Sequence, residues 1–175
     1  MRLWKSFAGL MVLSIVVAGC APKDEGQMNL ITTDSIQKRA EQVLGATQEV
    51  LGSSGWTAHP TWVECEGQDG GLVRLLYFVE RLEPTEDDLG ALSEKVAAKW
   101  ASIGLSARAE LLSDRPDTYV VSDPPFQQGS NKDGTLTQLQ FSSAFAGLQV
   151  LSSCVEGDLA DLNSPGPTVT PPSSP

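Results

Sequence analysis

WTAHPTWVECEGQDGGLVRLLYFVERL, residues 56–82, reads as two strands around a turn. Residues 56–66 carry Trp62 and Glu64 toward one face and Val63 and Cys65 toward the other, the two-residue period of a strand. Gly67-Gln68-Asp69-Gly70-Gly71 is turn chemistry, because glycine reaches positive φ without a Cβ clash. Residues 72–82 are dense in Leu, Val, Tyr and Phe and supply the second strand. Two such runs across a glycine-rich link make a β-hairpin.

The segments on either side of the hairpin change period. Upstream, Ile36, Ala40, Val43, Leu44, Thr47, Val50 and Leu51 recur at helical spacing, which predicts a helix over residues 33–51. Asp34 and Gln37 have the spacing of a capping box at its start, and Gly52-Ser53-Ser54-Gly55 ends it. Downstream, Leu89, Leu92, Val96, Trp100 and Ile103 make the apolar stripe of a second helix over residues 85–103. Thr85 is its expected cap, Glu86, Asp87 and Asp88 complement the dipole, and Gly104 closes it. Strands are then expected over residues 106–112, from Thr118 to Val121 until Pro124-Pro125 interrupts, over 135–143, and over 148–155. Helix, hairpin, helix and further strands define an α+β fold: an antiparallel sheet of about five strands with two helices packed on one face.

The N-terminus has a different character. Arg2 and Lys5 precede an apolar run of about 12 residues, too short for the ~20 that span a bilayer as a helix. Small residues Ala18 and Gly19 then stand before Cys20, the pattern of an exported, cleaved leader. The expected organisation is a lipoprotein signal peptide over residues 1–19, a lipidated Cys20 with a flexible tether to residue 32, one α+β domain over residues 33–157, and a disordered Pro/Ser-rich tail over 158–175. Arg2 and Lys5 leave with the leader, so 10 Lys and Arg remain against 22 Asp and Glu, a net charge of −12. Such a surface repels nucleic acid and anionic headgroups, which leaves membrane attachment to the lipid.

Cys65 and Cys154 remain in the folded part. In an oxidising compartment an even pair reads as one disulfide. The 89-residue separation corresponds to a stabilisation of roughly 4–5 kcal/mol in the chain-entropy model. The two cysteines are expected in strands that neighbour one another in the sheet.

Val17-Ala18-Gly19-Cys20 resembles the lipobox of bacterial lipoproteins, which implies diacylglycerol on Cys20 and cleavage before it. Together with Trp62-x-x-Cys65 after an amphipathic helix, a Trp100 helix ending at Gly104, and a closing hairpin ending Ser152-Ser153-Cys154, the chain resembles small actinobacterial LppA-like lipoproteins over residues 33–155. That resemblance implies an α+β envelope lipoprotein and transfers no catalytic residue.

Candidate chemistry has a structural reading in each case. Ser35-Ile36-Gln37-Lys38 matches the S-x-x-K of penicillin-binding proteins, but its S-D-N and K-T-G companions are absent and a first-turn serine is ordinary. Asn131-Lys132-Asp133-Gly134 resembles the middle of an EF-hand loop, yet Gly129 and Gln140 stand where acidic ligands belong, so it reads as a turn. Glu86, Asp87 and Asp88 suit a helix start, and Glu64 and Glu66 flank a hairpin. His59 is the single histidine and reads as a strand-edge residue. Trp62 and Trp100 read as core, Trp56 as a loop-edge aromatic.

The function expected from the sequence is a non-enzymatic binding or accessory module of the bacterial envelope, anchored on the outer face of the cell membrane. No cofactor or metal is expected, and the partner is an envelope protein or a cell-wall ligand. The alternatives are a small envelope hydrolase with residues gathered from distant positions, and a structural lipoprotein without ligand.

Overall fold

The computed structural model describes residues 31–67, 70–83, 85 and 88–164. Cys20, the leader, the tether up to residue 30, Glu86, Asp87 and residues 165–175 lie outside the described residues.

The chain runs α1 (Thr33–Leu51), β1 (Trp56–Glu64), β2 (Leu72–Arg81), α2 (Leu89–Ser102), β3 (Arg108–Leu111), β4 (Tyr119–Asp123), a 3-10 turn at Phe126–Gln128, β5 (Leu136–Phe141), β6 (Ala146–Leu151), β7 (Val155–Glu156) and α3 (Leu159–Leu162). The fold is α+β. Among the described residues seven strands lie in the order β1-β2-β6-β5-β4-β3, with β7 also paired to β2, and every pairing is antiparallel. The expected hairpin is β1–β2, with Trp62 opposite Leu75 and Trp56 opposite Arg81.

The strand expected over residues 106–112 forms as β3, and the count exceeds about five because the run expected over 148–155 is divided into β6 and a β7 of only two residues, below what a period of two can signal. β7 is split from β6 at Ser152. There the backbone N–H of Ser152 donates to the Leu75 carbonyl, while the N–H of Leu75 donates to Ser152 Oγ at 2.9 Å. A hydroxyl thus takes the place of a ladder carbonyl and lets the strand break without orphaning a buried donor.

One face of the sheet is apolar and covered. Val73, Leu75, Tyr77 and Val79 of β2, Leu139 and Phe141 of β5, and Leu148 and Val150 of β6 meet Ala40 and Val43 of α1 and Val96 and Trp100 of α2 in a single core. Both long helices pack on that face. The opposite face carries Thr57, His59 and Thr61 of β1, Phe78 and Glu80 of β2, Gln138 and Gln140 of β5, and Gln149 of β6. The helices are joined by a buried polar link: Trp100 Nε1 donates to Thr47 Oγ1 at 3.0 Å, and that hydroxyl donates to the Val43 carbonyl at 2.8 Å.

Four boundaries differ from the sequence expectation. The capping box at α1 is Thr32 with Ser35, not Asp34 with Gln37. α2 begins at Leu89, capped by Asp88 Oδ1 accepting from the Ala91 N–H at 3.1 Å; Thr85 instead donates its backbone N–H to Ser143. With Thr85 held against Ser143, the helix starts only at Asp88, which supplies the cap. β4 extends to Asp123, where a cis peptide bond joins it to Pro124. The ordered chain also continues past residue 157: Asp158 caps α3, and Asn163 turns its amide back to the exposed edge of β1. Its Oδ1 accepts from the Trp62 N–H at 3.1 Å and its Nδ2 donates to the Trp62 carbonyl at 2.9 Å. A side-chain amide presents the donor and acceptor of a peptide unit, so it covers a free strand edge at one residue.

Cys65 and Cys154 are disulfide-bonded, with Cα atoms 6.2 Å apart. The strands that lead to them are not neighbours, in contrast to the expectation. β2 lies between β1 and β6, and the bridge joins the two flanking chains where Cys65 has left β1 and Cys154 occupies the gap between β6 and β7. Among the described residues no helix is long and apolar enough to cross a membrane.

Candidate functional site

The first turn of α1 lies beside the ends of β4, β5 and β6. Thr32 accepts from the Ser35 N–H at 3.2 Å, and Ser35 Oγ both accepts from the Thr32 N–H at 2.9 Å and donates to the Thr32 carbonyl at 2.8 Å. This start turns Ile36 into the core and leaves Arg39, one turn further, half-buried at its margin. At the other side Gly104, at φ 87°, ends α2 and brings Leu105 inward. Asp123 follows at the end of β4, and its Oδ2 accepts from the Ser106 N–H at 2.8 Å.

The loop before β5 closes the third side. Gly134 donates its N–H to the Asn131 carbonyl at 2.9 Å, and Asn131 donates its own N–H to the Thr135 carbonyl at 2.9 Å. Asp133 Oδ1 accepts from the Thr135 N–H at 3.1 Å and from its hydroxyl at 2.8 Å. These two donors, the backbone N–H first, hold the Asp133 carboxyl below the ordinary carboxylate range. Residues 131–134 are therefore a turn, as their sequence suggests.

These elements enclose a cleft of about 330 Å³, within the size range of small-ligand sites. Ile31, Ile36, Leu105, Val150 and Leu151 make its apolar surface. Arg39, Asp123, Asn131, Thr135, Thr137 and Ser152 bring polar groups to it. Arg39 donates from Nη1 to Gln42 Oε1 at 2.8 Å, a neutral partner. Among the described residues neither Arg39 nor Asp123 belongs to an ion pair. A second groove of about 290 Å³ crosses the uncovered sheet face, lined by Phe78, Leu82 and Phe145 and by Gln138, Gln140 and Gln149.

The residues singled out in the sequence scatter. Ser35 lines the cleft, but its hydroxyl is committed to the capping box, and Lys38 is exposed on α1. Asp88 is the α2 cap. Glu64 and Glu66 are exposed at the end of the first hairpin. His59 stands on the uncovered face, with Nε2 3.9 Å from Glu80 Oε1. Trp62 and Trp100 are core, while Trp56 is half-buried and donates Nε1 to the Gly52 carbonyl at 2.8 Å. Among the described residues no group of three or more His, Cys, Asp or Glu could hold a metal ion. Sequence reasoning missed Arg39 and Asp123. Arg39 borders the α1 stripe at Ile36 and Ala40, a weak signal, and nothing in the spacing links it to a residue 84 positions on.

The fold and the cleft define a small α+β domain with a single covered sheet face and a pocket at one end. It is similar to the crystal structure of a DUF4853 family protein from Actinomyces odontolyticus, with a TM-score of 0.51, 17% sequence identity, and coverage of 82% of this chain and 78% of that one. At this identity the likeness is one of fold alone. No family model and no curated protein matches the chain.

Proposed function

We propose that this protein is an exported lipoprotein whose domain is a non-enzymatic binding module of the bacterial envelope, held at the outer face of the cell membrane through Cys20. The LppA-like resemblance belongs to the same proposal. The observation that carries it is the position of the cleft relative to the lipobox cysteine. Ile31, at the rim, follows Cys20 by 11 residues. Even a fully extended chain of that length spans about 40 Å, at ~3.3–3.6 Å per residue. A lipid on Cys20 keeps the cleft within that distance of the bilayer surface, where envelope ligands are presented. The Cys65–Cys154 disulfide is in keeping with an oxidising compartment.

Two measurements test this. Cys20→Ala removes the only thiol at the lipobox, so the variant is expected to leave the membrane fraction; retention there defeats the anchor. The melting temperature of the intact protein, followed against cell-wall fragments, sugars, peptides and amino acids, reports the ligand. A compound at 100 times its dissociation constant stabilises by about 2.7 kcal/mol. Turnover of a wall substrate by the purified protein would replace the binding module with the small envelope hydrolase.

A further inference from the structure

Arg39 and Asp123 line one cleft with opposite charges and do not neutralise each other. Both are half-buried. Arg39 spends one N–H on a neutral glutamine, and Asp123 takes one backbone N–H on Oδ2, so each retains bonding capacity toward the cleft. Ile36, Leu105 and Val150 give the same cleft an aliphatic surface. We propose that the cleft binds a zwitterion of amino-acid or dipeptide size with an aliphatic side chain. Its carboxylate bonds Arg39, its ammonium bonds Asp123, and its side chain lies against Ile36, Leu105 and Val150. This rests on the domain being a binding module and names the class of ligand it takes.

The charge arrangement selects against the simpler alternatives. An anion attracted by Arg39 meets Asp123 in the same cleft and the negative field of a chain carrying −10 overall. A cation attracted by Asp123 meets Arg39. A neutral apolar ligand leaves both charges desolvated and unpaired, the costly outcome for partly buried ions. A zwitterion satisfies both ends, and a guanidinium matches a carboxylate with two parallel N–H donors. The volume also fits: about 330 Å³ corresponds to roughly ten waters at ~30 Å³ each, room for an amino acid or dipeptide.

The test is calorimetric titration of the full chain, purified in detergent, with L-leucine, L-leucyl-L-leucine, L-leucinamide and N-acetyl-L-leucine. The amide lacks the carboxylate and the acetyl compound lacks the ammonium. Leucine or the dipeptide is expected to bind, and each blocked compound to bind about tenfold or more weakly, the value of one charge-assisted hydrogen bond. Arg39→Gln is expected to weaken leucine and to erase its advantage over leucinamide. Asp123→Asn keeps an acceptor for the Ser106 N–H and is expected to erase the advantage over N-acetyl-leucine. An unchanged melting temperature shows that each variant is folded. Equal binding of free and blocked compounds, or leucine affinity untouched by both substitutions, overturns the zwitterion while leaving a binding module in place. Absence of heat with leucine and the dipeptide also overturns it, and the melting panel of sugars and wall fragments then decides whether the binding module survives.

Discussion

The two ends of α1 each have an arginine beside them, and the two arginines do opposite things. At the C-terminal end Arg81, 8% exposed, donates from Nη1 to the Leu51 carbonyl at 2.8 Å and lies 3.5 Å from Thr85 Oγ1. Its Nη2 is 3.5 Å from Glu83 Oε2, and its guanidinium stands 6.0 Å over the ring of Trp56. A cation at a helix C-terminus meets unsatisfied carbonyls and the negative end of the dipole. Both of its terminal nitrogens have partners inside the fold, and Nε is buried without one. At the N-terminal end Arg39 bonds one neutral side chain and faces a cleft. Residue type does not separate a staple from a binding group. What separates them is how much of the guanidinium the fold has already used.

The closed end therefore reports on stability and the open end on ligand. The largest effect is expected from Trp100→Ala, which empties a fully buried site beside Thr47 and costs about 3–5 kcal/mol by denaturant unfolding. A loss below 1 kcal/mol would mean the two helices are not locked at this end. Arg81→Met retains the stem and orphans the Leu51 carbonyl, so about 1–3 kcal/mol should be lost in the same measurement. Arg39→Gln should change unfolding free energy by no more than about 0.5 kcal/mol, the range of surface substitutions. A cost matching that of Arg81→Met would make Arg39 a second staple and dissolve the contrast.

The smallest effect is expected at Asp133, in the loop that walls the open end. Its folded-state pKa is depressed by Thr135, so its contribution is present above the unfolded carboxylate value and is lost as pH falls through the folded value. The melting temperature of Asp133→Asn should converge with that of the parent protein on acidification. A gap that stays constant with pH would assign the difference to something other than this carboxylate.

Much of the fold is legible in the residues. The stripes of α1 and α2 predict the buried faces that carry Val43, Thr47, Val96 and Trp100, because a 3.6-residue period survives without tertiary information. The β1–β2 hairpin is legible from glycines 67, 70 and 71 and the runs beside them, and Gly67 and Gly71 do adopt φ of 74° and 89°. Helix caps are less legible. Thr32, Asp34, Thr85 and Asp88 are all competent, and which one caps depends on where the preceding chain arrives. The two-residue strand β7 has no periodicity to read and exists because Ser152 and the Cys65–Cys154 bridge hold it against β2.

The residues by themselves determine local matters: the helix stripes, the hairpin, the α+β order, the pairing of two cysteines, and a lipobox-like segment at Cys20. Tertiary structure alone decides the strand order that sets β2 between β1 and β6, the cysteines' meeting across it, and the cleft that gathers Arg39, Asp123 and Val150 from distant parts of the chain. Periodicity records which side of an element is apolar, and that is a property of neighbours in sequence. A cleft is made by elements whose mutual placement comes from packing the whole core, and no spacing along the chain encodes it.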